Sequence, residues 1–173
     1  MTKTRSTAAS RRVFLMFAGA GGGALALAGC GFKLREAPVF AFSTIAVPGK
    51  SAYVNQLRRA LTTTGTLTVE SDPQVPTDVV FDLLGERRDR AVLSTNAAGQ
   101  VRELQLTLTI RFRLRTPAGK EVLGPSEISQ SRDITYNETN ALAKEGEEKL
   151  LYRDMTTDIV QQTLRRLGAV KSL

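Results

Sequence analysis

The stretch Leu104-Gln105-Leu106-Thr107-Leu108-Thr109-Ile110-Arg111-Phe112-Arg113-Leu114 alternates apolar and polar side chains without a break. Period two is the pattern of a β-strand, whose successive side chains point to opposite faces. At ~3.3 Å per residue the run makes a strand of about 35 Å. One face is leucine, isoleucine and phenylalanine and needs a core. The other carries Gln105, Thr107, Thr109, Arg111, Arg113 and Arg115 and meets water or a polar partner. Upstream, Asn96-Ala97-Ala98-Gly99 has the residues of a tight turn, and Val79-Val80-Phe81-Asp82-Leu83-Leu84 opens a strand that continues to Leu93. Downstream, Pro117-Ala118-Gly119-Lys120 turns the chain again. A further strand falls within 121–136, with Gly124-Pro125 as a bulge or break. Three long segments joined by short turns read as an antiparallel meander.

The flanks add helices. Residues 43–47 (STIAV) are a short strand closed by Pro48-Gly49, and residues 67–70 form a second. Between them Ser51 opens a helix over 52–63, with Val54, Leu57 and Leu61 on one stripe and Gly65 as its stop. Arg58 and Arg59 lie off that stripe, on a solvated face. The last element is a helix over 139–167. Leu151, Met155, Ile159, Thr163 and Leu167 recur every four residues, widened by Leu150, Val160 and Leu164. Asn137 or Thr139 is its N-cap, Gly146 marks the change from loop to regular helix, and Gly168 ends it. The fold expected is α+β: a two-layer sandwich with two helices packed on one face of a mixed, mainly antiparallel sheet.

Composition removes several functions. The chain has 173 residues, no histidine and one cysteine. His-based triads, His metal ligands and intrachain disulfides are excluded. The formal charge of +7 is partly that of the first 29 residues, which hold Lys3, Arg5, Arg11 and Arg12 and no acid. Without them 20 basic groups face 17 acidic ones, a net +3 that does not argue for nucleic acid. No phosphate-binding loop, nucleophile elbow or zinc-ligand motif occurs after residue 29. Asp78, Asp82, Glu86 and Asp89 are the only carboxylate group with the look of acid–base machinery. Strand alternation puts the first three on one side, where a solvated face explains them as well as catalysis does. Arg111, Arg113 and Arg115 form a stripe that either matches spaced anions or belongs to a salt-bridged, solvated face. Phe112 faces the other way, so base stacking has no aromatic partner there.

The N-terminus is a targeting segment: a polar, basic stretch to Arg12, then the small and apolar run VFLMFAGAGGGALALA at 13–28. That run is short for a spanning helix and rich in glycine. Arg11-Arg12 resembles a twin-arginine export signal. Leu27-Ala28-Gly29-Cys30 resembles the bacterial lipobox. The lipobox implies cleavage before Cys30, diacylglycerol on its thiol and an acyl chain on the new amine, enough chains for durable anchoring. Gly31, in place of the aspartate that retains many lipoproteins at the inner membrane, implies the outer membrane.

A wider resemblance covers 30–168. Cys30-Gly31-Phe32-Lys33-Leu34-Arg35 resembles the processed start of the LptE family of lipopolysaccharide-assembly lipoproteins. Asn140-Ala141-Leu142-Ala143-Lys144-Glu145 with Glu147 and Glu148 resembles the segment that leads into that family's last helix. Arg132-Asp133, Tyr136 and Arg153-Asp154-Met155 fit as well. The resemblance implies a non-enzymatic, lipid-anchored protein on the periplasmic side of the outer membrane, with no nucleic-acid partner. It would plug and help assemble the LptD barrel and help deliver lipopolysaccharide to the outer leaflet. No cofactor is implied beyond the diacylglycerol and N-acyl chain on Cys30. Lys144 falls at the position of a lysine implicated in lipopolysaccharide binding. The family's companion arginine has no counterpart in Val92-Leu93-Ser94-Thr95, and Arg90 or Arg102 would have to replace it. The organisation implied is a leader at 1–29, a lipidated lead-in at 30–43, one domain at 44–168 and a tail at 169–173. Two other readings remain: a binding or scaffold lipoprotein in another outer-membrane complex, and an envelope hydrolase using the 78–89 carboxylates.

Overall fold

The computed structural model describes residues 38–136 and 141–173. In these residues the elements run β1 (Thr44–Ala46), α1 (Ala52–Thr63), β2 (Thr68–Glu70), β3 (Val79–Thr95), β4 (Val101–Arg115), β5 (Glu121–Thr135) and α2 (Ala141–Gly168). The strands form one sheet in the order β2-β1-β3-β4-β5. β1 is parallel to both neighbours, with Ile45 opposite Val69 on one side and Val79 on the other. β3, β4 and β5 are the antiparallel meander. Both helices pack on one face of this mixed sheet, giving the expected two-layer sandwich.

Local chemistry explains α1. Ser51 is extended (φ −68°, ψ 161°), and its hydroxyl accepts the Val54 N–H at 3.2 Å, satisfying a backbone donor that the helix leaves open. Tyr53, Val54, Leu57 and Leu61 are buried. Gly65 follows with φ +71°, a left-handed conformation that stops the helix with no Cβ clash. Arg58 is not simply solvated: it is half-buried and its guanidinium donates to Asn55 Oδ1 at 2.5 Å.

β4 is the centre of the core. Leu106, Leu108, Ile110, Phe112 and Leu114 are fully buried and Leu104 nearly so. The Phe112 ring stacks on Phe81 at 5.2 Å, and Phe81 packs against Tyr53 of α1 at 6.4 Å. From α2 come Met155, Ile159, Val160, Leu164 and Leu167. Thr163 is fully buried on the same stripe. Its hydroxyl donates to the Ile159 carbonyl at 2.9 Å, so the Tyr53 phenol is the donor in the 2.9 Å bond that joins the two helices. Burial pushes the Tyr53 phenol far above its ordinary range, and it stays protonated.

Three expectations need correction. Leu84 bulges out of β3 between Leu83, opposite Phe112, and Gly85, opposite Arg111. The bulge reverses the alternation, so Asp82 is on the open face and Glu86, opposite Ile110, is on the helix face. Asp78 precedes the strand, and its carboxylate accepts the Ser43 and Thr44 N–H groups at 2.8 and 2.9 Å. The three carboxylates therefore do not share a side. Gly146 does not begin regular helix: α2 is already helical from Ala141. Leu150 is 52% exposed and does not widen the buried stripe. At Gly124-Pro125 β5 bulges without breaking, since Leu123 is opposite Leu114 and Ser126 opposite Phe112. The candidate caps Asn137 and Thr139 lie outside the described residues, as do the leader and Cys30.

Candidate functional site

The two sheet faces differ in chemistry. On the face away from the helices, Asp82 accepts from Arg113 Nε at 2.9 Å and Arg115 Nε at 2.8 Å. Burial pushes the Asp82 carboxyl up, but the hydrogen bonds and charges of the two arginines outweigh it and hold the group below the usual carboxylate range. Arg111 is 3.8 Å from Glu127, Gln105 donates to Asp133 at 3.1 Å, and Thr109 and Ser129 share a hydroxyl contact at 3.1 Å. The arginine stripe is thus an ion-paired polar surface rather than a row of free cations.

Lys144, Arg90 and Arg102 come together at the hairpin end of the sheet. Lys144 stands in the first turn of α2, with its side chain 21% exposed. Its ammonium donates to Glu147 Oε2 at 2.8 Å and to Thr135 Oγ1 of β5 at 3.2 Å. Arg90 lies opposite Leu106, on the helix face of β3, and its Nη2 is 3.6 Å from Glu148 Oε2. Helical spacing points to Glu148 as the partner of Lys144, but the strand arginine has taken it and Lys144 reaches Glu147 instead. Arg102 is exposed at the start of β4. Its carbonyl accepts the Tyr136 N–H at 2.7 Å, and its guanidinium has no ion pair among the described residues. Lys144 and Arg102 line one cavity of ≈ 410 Å³ with Ser94, Glu103, Thr135 and Tyr136. Lys144 and Arg90 line a smaller one of ≈ 80 Å³ with Leu104, Ile134, Tyr136 and the acids Glu145 and Glu148. Lys144 and Tyr136 belong to both.

Sequence reasoning missed part of this site. Tyr136 lines both cavities, and the Thr135 hydroxyl accepts from the lysine ammonium. Both follow from β5 ending beside the start of α2, which helical and strand periodicity do not encode. Among the described residues no group of three acidic, His or Cys side chains is placed to hold a metal ion, and no helix is long and apolar enough to cross a membrane.

These features define a small α+β module with a polar open sheet and a corner where Lys144, Arg90 and Arg102 gather. Residues 40–167 match the lipopolysaccharide-assembly family LptE, and the chain belongs to that family. Three solved structures share the fold. Uncharacterized lipoprotein B from Nitrosomonas europaea is 28% identical, with a TM-score of 0.67 over 80% of this chain and 91% of that one. Rare lipoprotein B from Shewanella oneidensis is 24% identical, with a TM-score of 0.62 over 73% and 95%. A minor lipoprotein from Acinetobacter baumannii is 20% identical, with a TM-score of 0.59 over 76% and 92%. Proteins of this family are non-enzymatic outer-membrane lipoproteins, lipid-anchored and facing the periplasm, and that is the class and location of this chain. A single cysteine, Cys30, is consistent with such an anchor.

Proposed function

We propose that this lipoprotein plugs and assists assembly of the LptD barrel and helps pass lipopolysaccharide to the outer leaflet, held by diacylglycerol and an N-acyl chain on Cys30. Family membership supports the setting. The observation that carries the lipid half of the reading is the convergence of Lys144, Arg90 and Arg102 around the cavities that share Tyr136. Three cations at the edge of a partly apolar corner suit a phosphorylated amphiphile: the charges take phosphate, and Leu104 and Ile134 border the space beside them. Lys144 is the principal phosphate ligand, and Arg90 and Arg102 flank it. The open sheet face supports the plug. Ion pairs and hydroxyls at the surface suit the wet, polar interior of a large barrel better than a lipid or a dry apolar partner.

Titration of the mature lipoprotein with lipopolysaccharide at two salt concentrations tests the lipid site. Lys144→Asp should weaken binding by about tenfold or more, and high salt should weaken wild-type binding. The thermal melt should change little, because the side chain lies outside the core. Equal affinity in wild type and variant removes Lys144 from the site.

A further inference from the structure

The Leu84 bulge has a second effect on the helix side of the sheet. It turns Arg88 and Arg90 toward the helices, opposite Leu108 and Leu106. There the first turns of α1 and the N-terminal half of α2 leave a cleft of ≈ 540 Å³, lined among others by Gln56, Arg88, Arg90, Lys149, Tyr152 and Arg153. Tyr152 anchors it: its hydroxyl donates to the Asp89 carbonyl at 3.0 Å, and the Arg88 guanidinium lies 5.1 Å from its ring centroid. The cations are held but not used up. Arg88 reaches Glu86 at 3.4 Å and Arg90 reaches Glu148 at 3.6 Å, long beside the 2.6 Å of Arg132 to Asp158 on the same side of the sheet. Lys149 and Arg153, one helical turn apart and exposed, have no ion-pair partner among the described residues. Each guanidinium carries five N–H donors, so most of the donor capacity of the cleft is unspent.

We propose that this cleft binds an extended, acidic polypeptide segment of a partner protein. Arg88 and Arg90 are alternate residues of a strand, about 6.6 Å apart, which is the spacing of alternate side chains in an extended peptide. Alternate acids of an extended peptide match the backbone spacing of Arg88 and Arg90, and Lys149 and Arg153 line the cleft from α2. The walls also hold Glu145 and Glu148. An extended peptide brings backbone N–H donors that these carboxylates accept, beside the acids that the guanidiniums take. The Tyr152 ring gives an apolar surface for a side chain between the two acids. The proposal is independent of the barrel and lipopolysaccharide reading. Arg90, Glu145 and Glu148 border both sites, so the variants below leave them alone.

The test is fluorescence anisotropy with the full mature lipoprotein in detergent. The probes are a labelled peptide of alternating Glu and Thr, one of equal composition with contiguous Glu, and one of alternating Lys and Thr. The alternating acidic peptide should saturate, bind tighter than the other two and weaken with salt. The double variant Lys149→Gln/Arg153→Gln should lose about tenfold in affinity, and its exposed positions leave the fold intact. Arg88→Lys, which keeps the charge but not the planar fork, should also weaken binding, while Lys144→Asp should not. Absence of saturable binding, equal affinity for the contiguous-Glu peptide, or no change in the double variant overturns the proposal. Displacement by inorganic phosphate or phosphatidylglycerol vesicles at matched charge also overturns it and identifies a phosphate site.

Discussion

At the scale of single residues, Asp82 shows how one carboxylate organises the open face. It joins two arginines that stand two positions apart on β4, and it is four-fifths shielded. Its folded carboxyl holds a proton less tightly than the unfolded one, and so does that of Asp78, where the Ser43 and then the Thr44 N–H hold the charged form. Protons therefore favour the unfolded chain. The stability from both groups is complete above about pH 4 and is lost as pH falls through their lower folded values. Asp82→Asn should cost about 1–3 kcal/mol at neutral pH and flatten the acid limb of stability against pH, read from denaturant melts at several pH values. An unchanged acid limb would show that the clamp does not couple to folding. The charges of Asp82, Arg113 and Arg115 were legible in the sequence, but their pairing was not. It depends on the register of β3 against β4, which charge and period leave open.

At the scale of elements, the β4 alternation carried the fold because each of its six apolar residues is buried. Leu108→Ala should cost about 2–5 kcal/mol in a denaturant melt, from lost transfer energy and a cavity. Thr109 faces the other way yet is only 6% exposed and shares a hydroxyl contact with Ser129, so Thr109→Ala should cost about 1 kcal/mol rather than nothing. The reverse order would mean that the sheet faces are exchanged. β3 was harder to read. After the doubled Leu83-Leu84 and Gly85 its charged residues have no apolar partner to report their phase, and an unseen bulge moves each to the opposite face. Gly146 misled for a related reason: glycine weakens a helix but does not end one that its neighbours support. A Cβ there meets nothing within 4 Å. Gly146→Ala should stabilise the protein by about 0.5–1 kcal/mol, seen as a raised melting temperature.

At the scale of the whole molecule, the sandwich covers one sheet face with its own helices and leaves the other polar and ion-paired. The members of the basic corner were legible as residue types, but their meeting was not, since Lys144 and the β3–β4 hairpin are far apart in sequence and join through Tyr136. The proposed anchoring at Cys30 makes a direct prediction: Cys30→Ser should leave an unprocessed, unacylated precursor, and mass spectrometry of membrane-extracted protein reads this directly. The role proposed for the chain is that of plug partner of LptD. Purifying the mature lipoprotein from outer membranes under mild detergent and measuring the mass and stoichiometry of what accompanies it tests that most directly. A stable one-to-one complex with LptD is the expected result. Recovery of the lipoprotein alone, or with a different envelope complex and no LptD, would contradict it.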